Sequence, residues 1–249
     1  MIELKTPKEI EKMRVAAQIV ARTLALIGEN IRPGMTTEDL NVLADEFIRS
    51  QGATPTFLGY NDYPKSICVS IDDEVVHGIP SKRRKIRSGQ IVSVDIGSFI
   101  DGFNGDAART FAVGEVPDEA RRLMEVTEQA LADGIAQARP GNRLGDISNA
   151  VERTAKAGGF GVVRDMVGHG IGRKMHEEPQ VPNYGRPGTG VELKAGMVLA
   201  IEPMVNAGGY RVRTKPDNWT IVTEDGSISA HFEHDVAITA DGPDILSKL

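Results

Sequence analysis

The chain has 249 residues, and 29 Lys and Arg set against 35 Asp and Glu give a net charge of −6. This mild acidity argues against a dedicated DNA-binding module, which normally carries a strong basic excess. Apolar residues make up 40% and charged residues 26%, which is typical of a soluble globular protein and excludes a disordered chain.

The sequence carries no sign of export or of a membrane span. The one cysteine, Cys68, cannot form an internal disulfide. The longest apolar run, Met197–Ile201, is far shorter than the ~20 residues that cross a bilayer. The opening segment Met1–Lys5 lacks the apolar core of a signal peptide. We therefore expect a cytoplasmic protein with no membrane or DNA partner.

Two helices are predicted at the start of the chain. Thr6–Glu9 combines a capping threonine, a proline at the first helical position and a glutamate three residues after the cap, a combination typical of a helix start. Apolar residues then recur with helical spacing, and Gly28 is the predicted end. A second amphipathic helix is predicted from near Thr37 to Gly52.

The middle of the chain changes character twice. Segment 66–113 is rich in short β-type runs, with strands predicted at 91–96 and 107–113. Helices are predicted again at 117–139 and 144–157, each ended by a Pro-Gly or Gly-Gly pair. β-type sequence then continues to Thr239.

The order helix–helix–strands thus occurs twice, which indicates an internal duplication. Arg87–Asp95 aligns with Lys194–Glu202, 107 residues later, and each copy runs from a basic residue through a glycine and a buried strand to a carboxylate. A short coincidental match is the alternative, but the repeated helix order favours duplication. We predict a single domain over 1–249, with half-repeats at about 6–115 and 116–240 around a pseudo-twofold axis that brings Asp95 and Glu202 together.

Two aspartates are the first candidates for chemistry. Asp95 and Asp106 lie eleven residues apart across a turn-rich link, 97–105, between two predicted strands. If these strands form a hairpin, both carboxylates can face one point. Strand-end carboxylates also cap turns in solvent, but Asp95 lies inside an apolar strand, where an unpaired charge is costly to bury. The pattern favours a nearby cation.

The second half supplies further candidates. His169 is flanked by glycines, which leave room for a ligand, although a flexible loop with an incidental histidine is the alternative. His176 follows in an acidic turn, where an ordinary surface position is equally compatible. Glu202 ends a buried strand, and Glu233 enters an apolar one.

A combined charge of −4 is carried by Asp95, Asp106, His169, Glu202 and Glu233, and two divalent ions would balance it. Oxygen-rich ligation with a single imidazole suits Mn, Fe, Co or Zn in an open catalytic pair. A structural zinc site rich in cysteine is excluded, because Cys68 is the only thiol.

These residues and their surroundings resemble a known family. The sequence reads Val-Val-His77-Gly-Ile-Pro, Asp-Gly-Phe-Asn-Gly-Asp106, Gly-His169-Gly-Ile-Gly-Arg, His176-Glu-Glu-Pro, Ile-Glu202-Pro-Met and Phe-Glu233-His. From about Thr6 to Thr239 the chain is similar to the methionine aminopeptidases of the M24 pita-bread metallopeptidase family. It lacks the N-terminal extension and the helical insertion of type II and so resembles type I.

The resemblance implies a fold and a set of roles. The fold is the α/β (α+β) pita-bread fold, with two related halves around a central antiparallel sheet. Two divalent ions are implied, with Asp106 and Glu233 bridging them, Asp95 completing one, and His169 with Glu202 completing the other. Glu202 is also the implied general base. The resemblance further implies that His176 contacts the scissile carbonyl and that His77 holds the following amide nitrogen.

The resemblance also implies an apolar pocket for the methionine side chain. Its implied lining is Phe57, Tyr60, Tyr63, Cys68, Met175 and Trp219, and each of these is also compatible with a plain core position. Two positions depart from well-known members: Phe57 stands where a small thiol is often found, and Met175 where a phenylalanine is common. These departures concern the shape of the pocket.

The implied activity is removal of the initiator methionine from nascent proteins whose second residue is small and uncharged. A monomer is the family default. The basic run Ser81–Arg87 offers a contact to ribosomal RNA, although a solvated loop is the simpler interpretation. Alternatives are an aminopeptidase P, prolidase-like or creatinase-like enzyme, and a binding protein without activity. The complete candidate ligand set argues against the last.

Overall fold

The computed structural model describes residues 2–249. Its helices are α1 Pro7–Asn30, α2 Thr37–Ser50, α3 Asp118–Ala136 and α4 Leu144–Ala157, and a single 3-10 turn covers Tyr60–Asp62. None of the helices in this part of the chain is both long and apolar enough to span a lipid bilayer.

The strands, in chain order, are β1 Thr54–Pro55, β2 Ile67–Ile71, β3 Glu74–Val76, β4 Gln90–Ile100, β5 Phe103–Val113, β6 Gly161–Val162, β7 Gly168–Gly170, β8 Glu177–Val181, β9 Val198–Ile201, β10 Met204–Asn206, β11 Val212–Thr214, β12 Ile221–Thr223, β13 Ser229–His231, β14 His234–Thr239 and β15 Gly242–Ile245. Their pairings are antiparallel and form four sheets. The larger two have the orders β15-β14-β9-β7-β8 and β1-β4-β2 with β5 beside β4. The expected mixed α/β fold with antiparallel sheets is confirmed.

The helix starts follow their sequence signals, whereas the predicted ends of α1 and α3 are wrong. The capping box at Thr6 is formed, because its hydroxyl accepts from the Glu9 N–H while the Glu9 carboxylate accepts from the Thr6 N–H. α1 does not end at Gly28 but continues to Asn30. A Cβ at Gly28 would lie 2.9 Å from the Phe111 ring, so this glycine permits close packing of helix on sheet.

The third helix is shorter than predicted and the fourth matches. α3 ends at Ala136 rather than 139, because Gln137 and Ala138 close tight turns by donating to Gly134 and Ile135 carbonyls three residues back. α4 covers 144–157 as predicted.

The predicted link 97–105 is in fact mostly strand. β4 and β5 continue through it and are joined only by Asp101-Gly102, both with positive φ (51° and 84°), a two-residue hairpin turn. Gly105, interpreted as a turn residue, lies instead against α1, where a Cβ would come 2.4 Å from the Ala17 nitrogen. The longer hairpin fixes the positions of both aspartates.

The two largest apolar cores lie in different parts of the chain, one at residues 19–113 and one at residues 91–238. α1 and α2 cover the β2-β4-β5 sheet, while α3 and α4 pack together beside β9, β10 and β13. The halves meet where the Glu233 N–H donates to the Ala108 carbonyl of β5 at 2.9 Å. A smaller apolar cluster between the two cores contains Phe57, Met175 and Val198, and it borders the candidate site.

Candidate active site

One cavity of about 170 Å³ brings together all the residues singled out in the sequence. It lies between the two halves, and its wall is carboxylate-rich on one side and apolar on the other. The lining is Phe57, Tyr60, Asn61, Tyr63, Cys68, His77, Asp95, Asp106, His169, Met175, His176, Glu202, Trp219 and Glu233. Of these, only Asn61 was not predicted.

The hairpin places the two aspartates side by side. Asp95 of β4 is opposite Ala108, and Asp106 of β5 is opposite Gly97. They are therefore diagonal neighbours on the same face of an antiparallel pair. The expectation that both face one point agrees with this register.

The second half contributes the other candidates from three chain segments. His169 lies on β7 opposite Ala200, Glu202 directly follows β9, and Glu233 occupies the short connection from β13 to β14. His169 Nε2 lies 3.8 Å from Asp106 Oδ2 and 3.6 Å from Glu202 Oε1. Ligand atoms of Asp106, His169 and Glu233 all lie within 4.8 Å of one another, a spacing that can hold a metal ion.

Burial dominates the electrostatics of these groups. It raises the pKa of Asp95 to about 7 and that of Glu202 to about 8. It also raises the pKa of Asp106 and Glu233 well above the usual range, and neighbouring carboxylates add to the effect. Burial lowers the pKa of His169 to about 4, so that its ring is neutral at physiological pH.

The donor set fits divalent metal ions. Asp95 Oδ1, Asp106 Oδ1 and Glu233 Oε1 are buried without a hydrogen-bond partner, a costly state unless a cation is bound. Within residues 2–249, the only salt-bridge partners of the clustered carboxylates are histidines. His169 Nδ1 is 2.9 Å from the Gly170 carbonyl, so Nδ1 carries the proton and Nε2 presents a lone pair to the cluster.

The two remaining histidines flank the cluster. His176 Nδ1 lies 2.7 Å from the Tyr60 hydroxyl, and its ring centroid is 4.3 Å from that of His169. His77 follows β3 with a φ of 60°, and its ring lies edge-on to Trp219. Burial lowers the pKa of His77 to about 4.

The segment that carries His176 is anchored by the N-terminal part of the chain. The buried Lys5 ammonium lies 2.7 Å from Glu177 Oε2, and the other oxygen of Glu177 accepts from the Lys174 N–H. The Lys5 N–H in turn donates to the Gly196 carbonyl at 2.7 Å. His176 thus projects from a fixed loop, although its side chain is exposed at the cavity mouth.

The apolar wall is formed by residues that also belong to the hydrophobic core. The pocket interpretation and the core interpretation of these positions therefore both hold. Phe57, Tyr63, Cys68 and Met175 are buried, and the Tyr63 ring packs edge-on against Trp219 at 5.0 Å. Cys68 pairs with Asp95 in register, and burial raises the pKa of its thiol, which stays protonated.

The sequence analysis missed two residues at the carboxylate–histidine cluster. His231 Nε2 lies 3.7 Å from Glu202 Oε2, and Asp235 Oδ2 accepts the Asp106 N–H at 2.7 Å. The signal that could have found them is the alternation His231, Glu233, Asp235, because a period of two places side chains on the same face of an extended chain.

The site combines a carboxylate–histidine cluster with an adjoining apolar pocket, and antiparallel sheets carry it. This combination is typical of metal-dependent hydrolases. Residues 11–240 match metallopeptidase family M24. The methionine aminopeptidase of Clostridium acetobutylicum is 53% identical over 247 residues, with 99% of both chains covered. The crystal structure of the Thermotoga maritima methionine aminopeptidase has a TM-score of 0.98 at 49% identity, with both chains fully covered. This chain therefore belongs to family M24 and, within it, to the methionine aminopeptidases.

A more distant likeness shows the fold alone. The prolidase of Pyrococcus furiosus has a TM-score of 0.78 at 24% identity, and this chain spans 65% of its length. The prolidase-like alternative is thus less supported than a methionine aminopeptidase, whose similarity covers both chains end to end.

Proposed function

We propose that this chain removes the initiator methionine from nascent proteins whose second residue is small and uncharged. The observation that carries the proposal is the shared cavity, in which an apolar wall for one side chain adjoins the carboxylate–histidine cluster. A substrate whose first side chain fills the apolar part would present its first peptide bond to the cluster.

The test is release of methionine from Met-Ala-Ser by the purified, metal-loaded protein. Met-Leu-Ser and Leu-Ala-Ser serve as controls for the second residue and the first. Hydrolysis of Met-Ala-Ser in strong preference to both controls is expected. Equal rates on all three peptides, or cleavage only of peptides with proline second, would contradict the proposal.

Two divalent ions per chain are proposed, drawn from Mn, Fe, Co and Zn. Asp106 and Glu233 would bridge them, Asp95 would complete one site, and His169 with Glu202 the other. The balance between four carboxylates and two double charges supports this number. Bound ions would lower the pKa of a water molecule and polarise the scissile carbonyl.

The side chains then carry the proton and the developing charge. Glu202 accepts a proton from the attacking water and delivers it to the departing amine. The Tyr60 hydroxyl lies 2.7 Å from His176 Nδ1. With this hydroxyl as the donor, the ring proton is on Nε2, where it binds the carbonyl oxygen as that oxygen gains negative charge. His77 contacts the amide of the second residue.

Further proposals concern location, assembly and domain organisation. We propose a cytoplasmic monomer made of two half-repeats, at about 6–115 and 116–240. Gly89 and Gly196, which correspond in the repeat, both have left-handed φ (88° and 96°) just before a buried strand. Of the basic run, Arg84 pairs with buried Glu74, and the other basic side chains are exposed and available for a weak contact with the ribosome.

Removing the His176 imidazole is expected to lower kcat for Met-Ala-Ser by about 10²–10³-fold, as for the loss of one oxyanion donor. His176→Ala should keep its bound metal, because the His176 ring bonds to Tyr60 and only packs beside the assigned ligand His169. Steady-state kinetics and elemental analysis of the same preparation measure both quantities. The milder Tyr60→Phe removes only the hydroxyl that orients Nδ1 and should cost less. Loss of metal from His176→Ala would make His176 a ligand and contradict its assigned role.

The Met175→Phe variant is expected to sharpen the preference for methionine over norleucine. Met175 is a buried, flexible and polarizable wall of the pocket, which can repack around near-isosteres, whereas a phenylalanine ring is rigid. A methylene-sized difference is worth about 1–3 kcal/mol, so a shift in ratio is expected rather than a new specificity. The measurement is kcat/KM for Met-Ala-Ser and norleucine-Ala-Ser with the same metal. An unchanged ratio would make Met175 a packing residue only.

A further inference from the structure

His231 is a buried imidazole at the edge of the carboxylate–histidine cluster. None of the catalytic steps above uses it. Its relative exposure is 1%, and its Nε2 has no hydrogen-bond partner. A buried polar atom without a partner is costly, so its position needs an explanation in the site it faces.

Glu202 lies between two imidazoles. Its Oε1 is 3.6 Å from His169 Nε2, and its Oε2 is 3.7 Å from His231 Nε2. Glu233 Oε2 is the next acceptor, 4.0 Å from His231 Nε2. The two oxygens of Glu202 therefore face different imidazoles.

The two histidines differ in which nitrogen carries a proton. His169 Nδ1 is committed to the Gly170 carbonyl, which leaves a lone pair on Nε2. His231 Nε2 lies 3.7 Å from a Glu202 oxygen and 4.0 Å from a Glu233 oxygen, so a proton on this nitrogen is stabilised and it acts as a donor rather than as a metal ligand.

The backbone holds His231 in place. Its N–H donates to Thr110 Oγ1 at 2.9 Å, and the Thr110 hydroxyl donates to the His231 carbonyl at 2.9 Å. In the β10–β13 pair, His231 is opposite Met204, two residues beyond Glu202. The backbone of His231 is thereby fixed relative to the strand that leads from Glu202.

We propose that His231 is a positioning residue for Glu202: its Nε2–H, 3.7 Å from Glu202 Oε2, holds that oxygen by electrostatic attraction, so that Oε1 stays directed towards His169 and the metal site. This inference rests on the proposed function for the meaning of Glu202 as base. It assigns His231 a direct influence on metal affinity and on kcat, and none on binding of the methionine side chain.

The test compares variants that keep or remove the donor. In His231→Gln the amide nitrogen reaches the place of Nε2, in His231→Met a similar volume lacks a donor, and in His231→Asn the amide is too short to reach. Apo protein is titrated with MnCl₂ by calorimetry, and kcat and KM are measured on Met-Ala-Ser. Thermal unfolding identifies the folded variants. The Asn variant provides a second comparison without the donor.

The variants without the donor are expected to bind Mn about 10–100-fold more weakly than wild type and to lose a similar factor in kcat, with KM nearly constant. His231→Gln should recover most of both losses. Equal metal affinity in the Gln and Met variants would overturn the proposal. The visible spectrum of the Co-loaded His231→Gln variant should match that of Co-loaded wild type. A different spectrum would show that His231 is a metal ligand and would also overturn the proposal. The Mn titration needs no turnover, so its result stands even if wild type fails to cleave Met-Ala-Ser.

Discussion

Replacing Glu202 with glutamine is expected to lower kcat for Met-Ala-Ser by about 10³-fold or more, since loss of a general base alone costs about 10²–10⁴-fold. The amide cannot accept a proton from water. It also removes one negative charge from the cluster at which Glu202 faces His169 and His231 at 3.6 and 3.7 Å. Metal affinity should fall as well, so rates are compared at saturating metal to isolate the loss of the base.

A matched control uses the same substitution at an exposed glutamate. Glu224 does not line the cavity, and its exposed carboxylate lies 3.9 Å from Arg211. Glu224→Gln should therefore retain the wild-type rate. If Glu202→Gln keeps more than about a tenth of wild-type turnover with metal bound, Glu202 is not the base, because a base contributes at least about 10²-fold.

Removal of metal is expected to abolish turnover and to lower the thermal midpoint of unfolding. Without cations, the clustered carboxylates repel one another, and buried oxygens such as Asp95 Oδ1 and Glu233 Oε1 stay unpartnered. Extended dialysis against EDTA should abolish the release of methionine. Addition of Mn, Fe or Co should then restore it. Full activity in a preparation that elemental analysis shows to be free of metal would contradict the two-metal mechanism.

The effect of metal on stability should grow with pH. In the metal-free protein, burial raises the pKa of Asp95 to about 7 and that of Glu202 to about 8, above their values in the unfolded chain. Between about pH 4 and 8 the folded state therefore binds more protons than the unfolded state, and its stability falls as pH rises. Metal ions bind to ionised carboxylates, so the stabilisation that bound metal provides increases as pH rises. Thermal unfolding with and without EDTA at pH 5.5 and 8 should show the larger difference at pH 8.

Local sequence signals predicted most of the helices and part of the sheet. The cap at Thr6 and the glycines after α4 act through neighbouring backbone groups, so they can be identified without knowledge of the rest of the chain. Gly28 and Gly105 could not be interpreted in this way. Their role is to let α1 approach Phe111 and β5, contacts between segments that the sequence alone does not bring together.

The same distinction applies to the site. Nearly all the residues that line the cavity were predicted, the carboxylates and histidines from their motifs and the apolar residues from the family resemblance. His231, Asp235 and Lys5 were missed, since each acts on a residue distant in the chain or on an adjacent strand: Glu202, Asp106 and Glu177 respectively. Such contacts depend on how segments that are distant in the sequence pack against one another.

The most direct test of the account is a titration of metal-free protein with Mn while bound metal and release of methionine from Met-Ala-Ser are measured on the same samples. Asp106→Asn serves as a companion, because Asp106 is assigned to both ions. The account predicts that wild type binds two ions per chain and that methionine release follows the added metal, whereas Asp106→Asn binds both ions weakly and stays inactive. Full turnover of Asp106→Asn, or of wild type without bound metal, would contradict the central claim.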